Sequence, residues 1–317
     1  MPAGFGDSPG KRMVREQLNT PLLRGVSNAL GIQYFYCGLP GPDILDIVLW
    51  KDMIRRIVAF EIEASESEDP RRDLVALGRN LSLLGIPHKV HCGYLETTVL
   101  LGRDDDGEAY SQDELITLYN LDFCNAITGR VPTKEGNRCL RFEVLRHMLA
   151  VQGEQHRRSG QSKFILLLTV RDEFHAAEMQ GFVSGLASGP VADFVAALPP
   201  PEDLPQTGMQ RSTLHLKAFV FSVLRAYCHG HNISSLFLPP VKYVGRSTRS
   251  RMLHFAVLCR FGNVENALPV EVQDDDGFLR KACVHAQDDH FKVEPCSAQE
   301  PDSSAFELDG AIAFIHG

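Results

Sequence analysis

Four places in this 317-residue sequence bring together residue types that could bind a small molecule or act on one. The first is Gly38-Leu39-Pro40-Gly41. Its glycines let backbone come close to a ligand, and a helix beginning after it would offer free N–H groups to an anionic group. The second is Ala59-Phe60-Glu61-Ile62-Glu63, a carboxylate set among apolar neighbours. At a strand end such a group can accept both hydroxyls of a ribose, in charge-assisted bonds of about 1.5 to 3 kcal/mol. Glu61 is the first candidate, with Glu63 in reserve because it borders the acidic run through Glu66, Glu68 and Asp69. The third, Asp122-Phe123-Cys124-Asn125, offers an acid to orient or deprotonate an acceptor, a thiol, and an amide to hydrogen-bond it. The fourth is basic: Arg171 after an apolar run, then Arg246, Arg249 and Arg251 in one short turn, which could hold nucleic-acid phosphate. Each has a plainer alternative: a tight turn, a solvated acidic loop, a turn cap or a surface ion pair.

For these segments to meet, they must lie at the carboxyl ends of neighbouring strands, where ligands sit in open α/β sheets. Apolar runs predict strands over residues 32–37, 56–62, 88–101, 115–121 and 163–170, the third bent at Gly93. Helical periodicity separates them. A helix is expected from Pro42 and Asp43 onward, another over 70–84 with Leu74, Leu77, Leu81 and Leu84 on one face, and others over 138–157 and 173–186. A proline-rich linker at 198–207 precedes a long helix over 209–229. Strands over 235–244 and 251–261 follow, and the turn between them is too short for a parallel crossover, so they form an antiparallel hairpin. The expected fold is α/β, a mainly parallel Rossmann-like sheet with a terminal antiparallel hairpin and a short accessory β-rich C-terminal tail. The expected division is 1–30, a helical extension interrupted at Thr20-Pro21; 31–262, the sheet domain; and 263–317, the accessory segment.

Bulk composition limits the function classes. Net charge is −8, which excludes indiscriminate coating of nucleic acid but not a local basic patch. Eight cysteines show no Cys-x-x-Cys pair, so reduced thiols in the cytoplasm are expected. No apolar run reaches membrane-span length, and no export signal or membrane partner is expected. No recognised metal-ligand spacing, Walker loop or Gly-x-Ser-x-Gly elbow occurs, so no metal is expected.

The series Tyr36-Cys37-Gly38-Leu39-Pro40-Gly41, Glu61, and Leu118-Tyr119-Asn120-Leu121-Asp122-Phe123-Cys124-Asn125 resembles the glycine-loop, acidic and fourth-strand motifs of class I S-adenosylmethionine-dependent methyltransferases. The resemblance spans roughly residues 30 to 262. It implies S-adenosylmethionine as cofactor, bound by Gly38, Pro40, Gly41 and Glu61 or Glu63, with Asp122 and Asn125 at the acceptor; Arg171, Arg246, Arg249 and Arg251, expected at the same sheet edge, are the candidates to contact the substrate. The first motif also resembles the glycine loop of the three-Cys-motif partner proteins, a methyltransferase-like group linked to bacterial defence. That implies a second role, a catalytically silent subunit binding nucleic acid or a protein partner in antiviral defence. The sequence departs from the family in three ways. Tyr36 and Cys37 stand where an acid usually precedes the glycines, paired prolines are missing after the fourth strand, and Phe123 replaces the proline before a cytosine-5 nucleophile. A dehydrogenase-like dinucleotide site is disfavoured because Gly-x-Gly-x-x-Gly is absent.

Overall fold

The computed structural model describes residues 7–63, 68–204, 208–245, 251–262, 275–280, 283–287, 290–294, 306 and 308–316. Five parallel strands, β1 (Tyr34–Gly38), β2 (Ile54–Glu61), β3 (His88–Cys92), β4 (Leu118–Ala126) and β5 (Lys163–Arg171), lie in the order β3-β2-β1-β4-β5. Next to β5 the polarity reverses. Strands β6 (Ile233–Phe237) and β7 (Val241–Val244) pair with successive halves of β8 (Arg251–Phe261), which runs antiparallel to them and to β5. This is the order and polarity of the Rossmann-like methyltransferase sheet expected from the sequence, including its antiparallel hairpin. A C-terminal hairpin, β9 (Cys283–Gln287) and β10 (His290–Glu294), extends the same sheet, with β9 parallel to β7.

Both faces of the sheet are covered, which is why the inner strands carry almost unbroken apolar runs. From Phe164 to Val170 in β5 every residue is buried. One face packs against α1 (Pro9–Met13), α2 (Thr20–Leu30), α3 (Leu45–Trp50), α4 (Arg72–Leu83) and, at the far end of the chain, α11 (Leu308–His316). The other packs against α5 (Leu95–Leu101), α6 (Arg141–Ser159), α7 (Ala176–Gly185), α8 (Pro190–Ala196), α9 (Thr213–Gly230) and α10 (Asp275–Arg280). None of the described helices is long and apolar enough to cross a membrane.

Several local expectations change. Thr20-Pro21 does not interrupt the N-terminal helix: a π-helical stretch, Val14–Asn19, joins α1 to α2, and the missing N–H of Pro21 falls in a first turn, where it costs nothing. The helix expected from Pro42 begins only at Leu45, after an added turn. Strand three ends at Cys92, and residues 95–101 are helical. The fourth strand runs on to Ala126 past an irregularity after Asp122. The strand expected over 235–244 is broken at Leu238-Pro239-Pro240, since proline cannot complete a ladder. The apolar stretch near the C-terminus is helix α11 rather than strand.

A polar chain is threaded through the core on the α2 face. His254, in the middle of β8 and 2% exposed, lies 2.8 Å by Nδ1 from Thr169 Oγ1 and 3.0 Å by Nε2 from Asn19 Oδ1. With the amide oxygen of Asn19 able only to accept, Nε2 is the protonated nitrogen and Nδ1 accepts from the threonine hydroxyl. Burial lowers the imidazole pKa to about 4 from its usual 6.5. The unfolded chain therefore takes up a proton first as pH falls. Stability from this group is complete above about pH 6.5 and is lost progressively down to about pH 4. Urea titrations at pH 7 and pH 4.5 should show a fall in stability that is smaller, by on the order of 2 kcal/mol, in His254→Gln than in the native protein.

Candidate functional site

The chain crosses from β3 on one side of β1 to β4 on the other, and the ends of β1 and β4 mark the switch point where open sheets leave a crevice. Gly38 closes β1 there. A Cβ at this position would lie 2.9 Å from the carbonyl carbon of Asn120 in β4 and closer still to its oxygen, so no larger residue fits. The following Leu39 N–H donates to that same oxygen at 3.0 Å. Pro40 is half-buried, and Gly41 adopts φ 66°, a left-handed conformation that suits glycine. Ile44 then takes φ 46° at the start of α3, which is strained for a β-branched side chain and is held by its burial.

Charge gathers beside this turn, on residues that sequence reasoning passed over. Asp46, in the first turn of α3, accepts a 2.9 Å hydrogen bond from Asn120 Nδ2, which also lies 3.2 Å from the Tyr36 hydroxyl. Arg15 Nη1 approaches the other Asp46 oxygen at 3.5 Å and Arg15 Nη2 holds Asp7 at 2.9 Å. Burial pushes the Asp46 carboxyl upward, opposed by Lys11 and Arg15. Lys11 forms an ion pair with Asp122, and that carboxylate is the chief reason its ammonium pKa is raised. Lys11 and Arg15 stand four residues apart, a spacing that puts them on one helix face. That signal was present in the sequence, whereas their partners lie far along the chain.

Glu61 ends β2, half-buried, with one hydrogen bond among the described residues: its Oε1 accepts the N–H of Ile62 at 3.0 Å. Burial raises its pKa to about 7, with the Ile62 N–H opposing and Asp73 adding to the rise. Its charge also bears on Cys124 at the end of β4. Glu63 is differently engaged: it pairs with Arg71 Nε at 3.1 Å and receives the Cys92 thiol at 3.8 Å. Arg71 also pairs with Asp106. Glu63, Cys92 and Asp106 could offer ligand atoms within 4.8 Å of one another, but the Arg71 cation already binds both carboxylates.

After Asp122, Phe123 turns into the core beneath the guanidinium of Arg141, 4.5 Å from its ring. Arg141 is itself buried, pairs with Glu96 at 3.0 Å and donates to the Ala126 carbonyl, which fixes this segment against the start of α5. Cys124 and Asn125 are exposed. Although part of its surface meets solvent, the protein crowded around the Cys124 sulfur desolvates it and, with the nearby Asp122, raises the thiol to about 11, so at neutral pH it is not the thiolate that a nucleophile requires. Arg171 closes β5 opposite Ala126 and pairs with Glu173 at 3.0 Å. Arg251 opens β8 and is exposed, while Arg246 and Arg249 lie outside the described residues. A cavity of about 350 Å³ between α5 and α6, lined by Val99, Leu101, Tyr110, Gln112, His147 and Met148, includes none of these groups.

No protein-family model and no curated protein matches this chain. Solved structures of similar shape include magnesium protoporphyrin IX methyltransferase (ChlM) from Synechocystis PCC 6803 with bound SAH. It shares 10% identity over 80% of this chain and 90% of that one, with a TM-score of 0.40. N-methyltransferase NodS from Bradyrhizobium japonicum WM9 shares 10% identity over 81% and 99%, at 0.38. An rRNA methylase from Streptococcus thermophilus shares 9% over 77% and 95%, at 0.35. At these scores the fold assignment stands on strand order and polarity alone.

The glycine turn can be tested directly. Gly38→Ala should cost on the order of 3 kcal/mol by urea unfolding, because rigid backbone meets the new methyl group. Gly41→Ala, which has open space but a left-handed φ, should cost only about 1 kcal/mol.

Proposed function

We propose that this protein binds S-adenosylmethionine at the carboxyl ends of β1 and β2 and transfers its methyl group to a nucleic-acid acceptor beside the end of β4. The observation that carries the reading is Glu61, a half-buried carboxylate at the end of β2 whose single hydrogen bond among the described residues comes from its neighbour's N–H. It has acceptor capacity to spare for two sugar hydroxyls. The other groups fit the cofactor as well. Gly38 leaves bare backbone at the switch point, and Asp46 with Lys11 and Arg15 offers both signs of charge to an amino-acid end. Asp46 thereby takes the place of the acid missing at Tyr36-Cys37.

When bound, the cofactor supplies an electrophilic methyl group. The chain's own part is to place the acceptor and to exclude alternatives, from which most of the rate would come. Asp122 is held in place by its ion pair with Lys11, which suits it to orienting an acceptor. Asn125, exposed at the same strand end, can hydrogen-bond the acceptor through its amide. One observation favours a second reading: the Lys11 ammonium already sits on Asp122, as it would in a catalytically silent subunit that binds nucleic acid or a defence partner. The enzymatic reading puts the protein in the cytoplasm, where S-adenosylmethionine is made.

Calorimetric titration with S-adenosylmethionine tests the cofactor claim. If ionised Glu61 accepts the ribose hydroxyls, affinity should be full at pH 8 and weaken about tenfold by pH 6, as the carboxyl protonates through about 7. Glu61→Gln should bind more weakly with no such pH dependence, and absence of binding by the native protein at pH 8 sinks the proposal. Transfer from labelled cofactor to RNA and DNA oligonucleotides separates the two readings. An enzyme should lose at least about tenfold in Asp122→Asn, whereas a silent subunit shows no transfer in either protein.

A further inference from the structure

Beyond the crevice, the end of β5 gathers four cations. Arg171 Nη1 lies 3.0 Å from one oxygen of Glu173 and Arg211 Nη2 lies 4.0 Å from the other, so two guanidinium groups share one carboxylate. Asp172, 1% exposed, accepts from Thr213 Oγ1 at 2.6 Å at the start of α9. Lys242, Arg211 and Arg251 are all near enough to Asp172 for their charge to act on it. The Asp172 N–H donates to the Arg251 carbonyl at 2.8 Å, tying the end of β5 to the start of β8. Against the four cations stand Asp172, Glu173 and the exposed Glu202, which is opposite Arg211 in a small sheet of residues 174–175, 202–203 and 209–211. Four cations thus meet around one strand end in a chain whose net charge is −8.

Its hydrogen bonding is incomplete. Among the described residues, Arg171 Nε and Arg211 Nε are buried donors with no partner, and buried donors of this kind are normally satisfied. Both call for an acceptor oxygen. The register places the cations on both faces of the sheet edge. Lys242 is opposite Leu253, which is opposite Val170, so Lys242 shares the face of Val170 while Arg171 points to the other. One bidentate arginine is enough to hold a single phosphate. Cations wrapped around an edge suit a run of phosphates, and Arg171 is paired with Ala126, the last residue of the strand that carries the acceptor segment.

We propose that Arg171, Arg211, Lys242 and Arg251 hold successive phosphates of a single-stranded nucleic acid whose acceptor base enters beside Asn125. This rests on the reading of the acceptor as a nucleic acid and adds Arg211 and Lys242 to its recognition. A single strand is specified because an unstacked base can turn its edge to the groups beside Asn125, which a base stacked in a duplex cannot do.

Fluorescence anisotropy of the full-length protein with labelled single-stranded RNA and DNA of about 15 nucleotides, over a potassium chloride series, tests the site. The native protein should bind at least one probe. Arg251→Gln and Lys242→Gln should each flatten the slope of log affinity against log salt by about 0.7, and the double variant Arg211→Gln, Arg251→Gln should weaken binding at least about tenfold. Arg211→Lys should retain most of the affinity that Arg211→Gln loses, which separates charge from folding. Calorimetry with S-adenosylmethionine on the same variants should be unchanged, so a failed cofactor site and a failed phosphate site give different results. The proposal is overturned if neither probe binds at low salt. It is equally overturned if Arg251→Gln and Lys242→Gln, unfolding at the native temperature, keep the native affinity and slope.

Discussion

An ion-paired seam between the N-terminal helix and the carboxyl edge of the sheet is the constraint on which the rest of this structure depends. The sheet and α3 bring Asp46 and Asp122 to the switch point but supply no cation there; Lys11 and Arg15 come from the helix that precedes them. Burying a carboxylate is costly unless it is paired, and removing one member of a buried pair typically costs about 3 to 5 kcal/mol. The N-terminal helix is therefore bound to its place by charge as well as by its apolar face. Close packing reinforces this. Gly10 sits so tightly on Tyr243 of β7 that a Cβ there would lie 2.7 Å from the tyrosine Cβ. Ser8 caps α1 while its hydroxyl donates to the Val244 carbonyl.

The ends of the chain are built into one another through this arrangement. Helix α11 packs against the same apolar layer as α2, and Arg260 in β8 donates to the Phe314 carbonyl at 3.1 Å. On the opposite face, Lys217, fully buried in α9, donates to the Leu279 carbonyl at 3.0 Å and lies 4.9 Å from the ring of Phe278. Residues after 262 thus complete both layers of the sheet. Departures from local regularity concentrate at one edge: strained Ile44, half-buried Asp46, the raised Glu61 carboxyl and the arginine donors without a partner among the described residues all sit near strand carboxyl ends. Sites where local preference is overridden are where function is expected.

What the sequence made legible was what short-range pattern controls. The unbroken apolar run of β5 and the close approach of β8 to the preceding strand identified a covered, mainly parallel sheet with a reversed end. The glycine turn and Glu61 were visible for the same reason. Residues 95–101 read as strand because Thr97, Thr98 and Val99 are β-branched and continue an apolar run. Helix α5 forms there because its first turn places Glu96 on Arg141, a partner 45 residues away. The charged seam was hidden by the same distance: Lys11 and Asp122 meet only once the whole β1 to β4 crossover is in place. Phe123 looked like a missing proline, and its burial under Arg141 could not be read without that fold.

The π-helical stretch at Val14–Asn19 joins two halves with separate tasks. Helix α2 docks on the apolar layer, while α1 and Arg15 face the strand ends. Such a stretch accommodates one residue more than an α-helix over the same turn. The added residue is absorbed within that turn, so the α-helical segments on either side keep the phase of one helix, with Lys11 toward Asp122 and α2 on its apolar layer. Deleting one residue there would restore an ordinary α-helical turn, whereas a deletion between that stretch and Lys11 would turn Lys11 by about 100° around the axis, away from Asp122.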